Sequence, residues 1–93
     1  MKNGNINDFI STLYYGGELL FDYSGKEYFI QGWVKDGNSR MVLDQLNPPG
    51  NEDYLWDYTF DTMRECAEKF LNDPIWDGKS FLEIEKEVTW KDF

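Results

Sequence analysis

The chain has 93 residues, of which 41% are hydrophobic and 18% aromatic, and a formal net charge of −9 at neutral pH. This length suits one domain around one core and is too short for two, while four Trp, six Tyr and seven Phe supply enough ring area to close that core without metals or disulfides. The acidity argues against phosphate backbones and anionic lipid surfaces as partners.

The charge is uneven. Residues 1–51 carry six acids and four bases, and residues 52–93 carry twelve acids and five bases. Such a surface attracts a basic protein, and it also serves simply to keep a small protein soluble. The lone Cys66 permits no intrachain disulfide, which fits a reducing compartment. No signal core is seen, and no segment reaches the roughly 20 apolar residues that span a bilayer. The expected location is therefore cytoplasmic, with no membrane partner.

Asn5-Ile6-Asn7-Asp8 opens a first helix, in which Ile6, Phe9, Ile10, Leu13 and Tyr14 form one apolar stripe. Gly16-Gly17 ends it. Three extended runs follow. Glu18 to Tyr23 is joined by Ser24-Gly25 to Glu27 to Val34, and Asp36-Gly37-Asn38 turns the chain into Arg40 to Leu46. Pro48 and Pro49 make Asn47–Asn51 a loop. Tyr54 to Phe60 then reads as a fourth strand, with Tyr54, Trp56, Tyr58 and Phe60 alternating.

Thr62-Met63-Arg64-Glu65 and Ser80-Phe81-Leu82-Glu83 have capping-box spacing, in which hydroxyl and carboxylate each satisfy a free backbone N–H. Met63, Cys66, Ala67, Phe70 and Leu71 give a second helical stripe, stopped at Asn72-Asp73-Pro74. Phe81, Ile84 and Val88 give a shorter third one. Thr89 to Phe93 is expected to trail off as an extended end. The predicted fold is α+β: a four-stranded antiparallel meander with three helices packed on one face, in the order α-β-β-β-β-α-α, as a single domain over 1–93.

Two-residue turns would pair Tyr23 with Lys26, Phe21 with Tyr28, Leu19 with Ile30, Ile30 with Leu43 and Gly32 with Met41. One face then carries Leu19, Phe21, Tyr23, Tyr28, Ile30, Val34, Met41 and Leu43, with Tyr54, Trp56, Tyr58 and Phe60 beside them. That is the expected core face. The opposite face carries Glu18, Asp22, Glu27, Gln31, Arg40, Asp44, Asp57 and Thr59, interspersed with Leu20, Phe29, Trp33, Val42 and Leu55. An open face is normally polar, and apolar groups rimmed by charge are the usual form of a partner surface. Leu20, Phe29, Trp33, Arg40, Val42 and Leu55 are thus the candidate partner-binding residues, with Trp33 in reach of a cation–π contact with Arg40. Ordinary strand-forming residues, or a C-terminal tail lying over them, would produce the same pattern.

Little else points to chemistry. The chain contains no histidine, which removes the commonest general base, zinc ligand and nucleophile partner. Cys66 lies on a helical apolar stripe and reads as a buried, inert thiol. There is no phosphate-binding glycine motif and no EF-hand spacing, so no catalytic, cofactor or metal residue is assigned. Asp73, Asp77, Glu52 and Asp53 read as solvated loop acids. Base stacking on Phe29 and Trp33 would need cations for the phosphates, and this face offers chiefly Arg40 against five acids, so nucleic acid is not expected. The favoured expectation is a non-enzymatic module binding a partner protein or a second copy of itself. Alternatives are an acidic inhibitor or immunity-type protein, and a ligand binder or enzyme with a pocket between sheet and helices, lined by Tyr54, Trp56 and Tyr58 beside Asp57 or Asp61.

Overall fold

The computed structural model describes residues 1–50 and 53–91. Helix α1 (Ile6–Tyr14) is capped by Asn5, whose side chain accepts the Asn7 N–H, and it buries Phe9 and Leu13. It ends in a Schellman motif: the Gly16 N–H donates to the Leu13 carbonyl and the Gly17 N–H to that of Thr12. The expected hairpins follow as β1 (Leu19–Tyr23), β2 (Lys26–Lys35) and β3 (Asn38–Asn47). Ser24 and Gly25, like Asp36 and Gly37, all have positive φ, the two-residue turn whose twist matches its flanking strands. All the pairs expected from the sequence are present.

After the proline loop, β4 (Trp56–Phe60) pairs with β3. Helix α2 (Met63–Asn72) and the short α3 (Phe81–Ile84) come next, and a 3-10 turn over Glu85–Glu87 leads to β5 (Thr89–Lys91). The Ser80–Glu83 capping box is complete, with both reciprocal bonds formed. At α2 only half of the expected box forms. The Thr62 hydroxyl accepts from the Glu65 N–H, but the Glu65 carboxylate accepts from that hydroxyl rather than from the Thr62 N–H.

Among the described residues the fold is α+β with three helices, as expected, but the antiparallel sheet has five strands, in the order β4-β3-β2-β1-β5, not four. Thr89–Lys91 does not trail off. It pairs with β1, placing Trp90 opposite Phe21 and Lys91 opposite Leu20. Lys2 in turn forms a parallel bridge to Thr89, accepting the Trp90 N–H and donating its own to Val88. This adds a polar main-chain cover to the outer edge of β5.

The core lies between the sheet and the helices. Phe9 stacks on Phe81 at 5.0 Å and meets Phe21 and Trp90 edge-on, while Phe70, Trp76 and Phe81 close the other side. Leu19, Phe21, Tyr28, Ile30, Met41 and Leu43 are buried there as expected. Val34, assigned to the same face, is 68% exposed. The reason is local: α1 ends level with Gly32, whose N–H donates to the Gly16 carbonyl, while Val34 lies two residues further toward the β2–β3 turn. Phe60 is similarly exposed at the end of β4. Trp90 packs on the core, and Phe93 lies outside the described residues.

Candidate functional site: the open sheet face

Alternation along the strands sends a second set of side chains to the side away from the helices. Successive rows in register are Trp33, Arg40 and Thr59, then Gln31, Val42 and Asp57, then Leu20, Phe29 and Asp44. Arg40 organises the first row. Its guanidinium carbon lies 5.6 Å from the Trp33 ring centroid, the contact expected from the sequence, and 5.6 Å from that of Tyr54. One terminal nitrogen donates to the Asp57 carboxylate at 2.9 Å. The Arg40 side chain is 39% exposed and that of Asp57 53%, so the cluster is fixed yet remains at the surface.

Tyr54 is the correction here. Alternation assigned it to the core face with Trp56 and Tyr58, but β4 begins only at Trp56, so Tyr54 escapes the alternation and its ring lies against Arg40. Tyr54, Trp56, Tyr58, Asp57 and Asp61 therefore do not line one pocket between sheet and helices. Trp56 and Tyr58 pack against the core, and Trp56 donates to Asp73 at 2.9 Å. Tyr54 and Asp57 meet Arg40 instead, and Asp61 is exposed.

Of the candidate partner-binding residues, Leu20, Phe29, Trp33 and Arg40 are half-buried on this face. Leu55, 45% exposed, does not belong to it: it precedes β4 and lines a hollow on the helix side with Tyr28, Ile75 and Trp76. Val42 is 1% exposed and cannot be a contact residue; flanked by Gln31 and Asp57, it fills the interior of the face. Beside Trp33 and Arg40 is a concavity of about 380 Å³, bounded also by Lys35, Asp36, Asn38 and Thr59.

β5 contributes a group that sequence reasoning missed. Lys91 donates to the Glu27 carboxylate and lies 3.8 Å from that of Asp22. The Glu27 hydrogen bond holds its pKa above the ordinary lysine value. Two of the five acids expected to charge this face are thereby neutralised locally. The missing signal was the strand itself, since only pairing with β1 brings Lys91 there.

Elsewhere, burial raises the Cys66 thiol above its usual pKa, and its Sγ faces the Ser39 carbonyl at 3.5 Å, as a structural thiol does. Asp73 is no free loop acid, because it accepts from Trp56 and pairs with Lys69 at 3.1 Å. Among the described residues, no group of three or more acids or thiols is placed to hold a metal ion. No described helix is long and apolar enough to cross a membrane. No protein-family model, no curated protein and no solved structure matches this chain.

Proposed function

We propose that the chain is a non-enzymatic protein-interaction module that docks a basic partner protein through its open sheet face, with Trp33 and Arg40 as anchors. One observation carries this reading: Arg40 is held by two rings and a carboxylate while staying partly exposed. Trp, Tyr and Arg dominate binding energy where they are already ordered before the partner arrives, because less side-chain entropy is then lost. Leu20 supplies apolar area on the same face as the anchors, and Asp44 with the acid-rich second half of the chain steers a cationic partner. An uninterrupted acidic row, which a phosphate mimic requires, is broken by Lys91 between Asp22 and Glu27.

The test is affinity capture from native lysate with the wild type and Trp33→Ala, repeated at two salt concentrations. The expected result is a basic protein retained by the wild type, lost on raising salt, and absent with the variant. The far-ultraviolet spectrum and melting temperature of Trp33→Ala stay close to wild type. Identical captures with both proteins, or a variant that unfolds, would remove the anchor role.

A further inference from the structure

The two edges of the sheet are treated differently. β5 is only three residues long, and Lys2 covers its outer side. β4 is five residues long, contains no lysine, proline or bulge, and has no strand beyond it among the described residues. Natural sheets usually protect such an edge, because its unpaired main-chain groups accept another strand. Trp56, Tyr58 and Phe60 form a ladder along β4, with ring centroids 6.4 and 5.8 Å apart and planes within 25°. The ladder ends in the 40% exposed Phe60.

We infer that β4 pairs antiparallel with β4 of a second copy, about a two-fold axis at Tyr58, to make one continuous ten-stranded sheet. Charge selects both the occupant and the register. With Tyr58 on the axis, Tyr58 faces its own counterpart, Trp56 faces Phe60, and Asp57 faces Thr59, a carboxylate beside a hydroxyl donor. No acid opposes an acid. Shifting the axis to Asp57 sets two carboxylates face to face, and shifting it to Thr59 opposes Asp57 to Asp61; like charges directly opposite destabilise a sheet. Side chains directly opposite across a strand pair share a face, so both helical layers lie on one side of the joined sheet and the ring ladder runs across the junction. A five-residue edge is a small contact, so the dimer belongs among weak, concentration-dependent ones.

Asp57 and Thr59 lie on the Trp33 side of the sheet, but Trp33 itself is on β2, two strands in from this edge, so Trp33→Ala separates the two readings in one experiment. Sedimentation velocity on the whole protein is run from about 10 μM to about 1 mM, the range in which a weak dimer forms. A reversible dimer is expected, and it tightens as salt rises from roughly 20 to 300 mM, because two chains of net charge −9 repel across a shrinking Debye length. A basic partner on the open face shows the opposite salt dependence. Thr59→Asp adds a carboxylate opposite Asp57 twice per dimer, yet within one copy position 59 pairs across β3 with Arg40, so the fold is retained. This variant should dissociate the dimer about tenfold more readily. Adding Asp57→Asn removes the repulsion, leaves Arg40 the new carboxylate as partner, and restores association. A chain monomeric at every concentration overturns the inference, and so does a dimer indifferent to Thr59→Asp. Loss of the dimer in Trp33→Ala would also overturn it and move self-association to the open face.

Discussion

Gly16 lies where α1, β2 and α2 meet, and its replacement by alanine tests how tightly they do so. Gly16 has φ +72°, and a Cβ built there would stand 3.0 Å from the Gly32 carbonyl oxygen and 2.8 Å from Met63 Cε. Two penalties therefore add. The left-handed conformation costs about 1–2 kcal/mol for a residue with a Cβ, and crowding a packed site costs about 1–3 kcal/mol more. The Met63 methyl can swing aside, but Gly32 is held by its pairing with Met41 of β3 and by its N–H bond to the Gly16 carbonyl, so its carbonyl cannot. Gly25 supplies the control. Its φ is +78°, yet nothing lies within 4 Å of its Cβ position, so Gly25→Ala carries the conformational penalty alone. Urea unfolding followed by circular dichroism should give a loss of about 2–5 kcal/mol for Gly16→Ala and about 1–2 kcal/mol for Gly25→Ala, with unchanged slopes. For a chain of this size, the larger figure is a substantial part of a total stability of about 5–14 kcal/mol. Equal losses at the two glycines would show that the junction is slack and that only the backbone conformation matters.

Ser80→Ala should lower stability by about 1 kcal/mol, because it breaks a complete capping box at a buried position; an unchanged urea midpoint would mean that the core, not the cap, holds α3. Stability should also fall in alkali. Burial raises the pKa of Tyr28 above 10.0 and of Cys66 above 9.0, and the Glu27 bond raises that of Lys91 above 10.5. In each case the folded chain keeps a proton that the unfolded chain releases, so stability declines as pH rises past the ordinary value of the group. The Lys91 contribution is complete below its ordinary value and disappears as pH passes its folded one. A urea midpoint that is level between roughly pH 7 and 8.5 and falls from about pH 9 to 11 is expected; a midpoint rising over the upper interval would contradict these directions.

The hairpins were legible because their information is local. Ser24-Gly25 and Asp36-Gly37 fix two turns, the turns fix register, and register fixes which residues share a face. The Trp33–Arg40 contact followed directly from this. What escaped notice depends on distant groups. Thr89–Lys91 is too short to show a pattern of its own, and its partner β1 already appeared satisfied by β2, so the fifth strand and the position of Lys91 were hidden. Tyr54 followed the alternation of β4 in the sequence but precedes the strand in space, which freed its ring to meet Arg40. Val42 looked like its surface neighbours because period-two alternation assigns a side and says nothing about how deeply a residue is covered on that side. The capping signals were half reliable: both hydroxyls found their N–H, whereas the carboxylate response depended on local geometry.

The contact between Lys2 and β5 also bears on the order in which the molecule assembles. The Met1 amine meets the Glu85 carboxylate at 2.7 Å, and the Lys2 backbone joins that of Val88 and Trp90, so the segments closing this edge come from opposite ends of the described chain. β1 to β4 form through neighbouring turns and need only short loops to close. The β5 side must gather segments separated by nearly the whole sequence, and such closures are entropically dearer and slower. During synthesis, β1 leaves the ribosome with one side unpaired and stays so until residues 88–91 emerge. Over that interval the nascent chain exposes the backbone of β1 and the ring of Phe9 that Trp90 later covers, and a chaperone would meet the protein there.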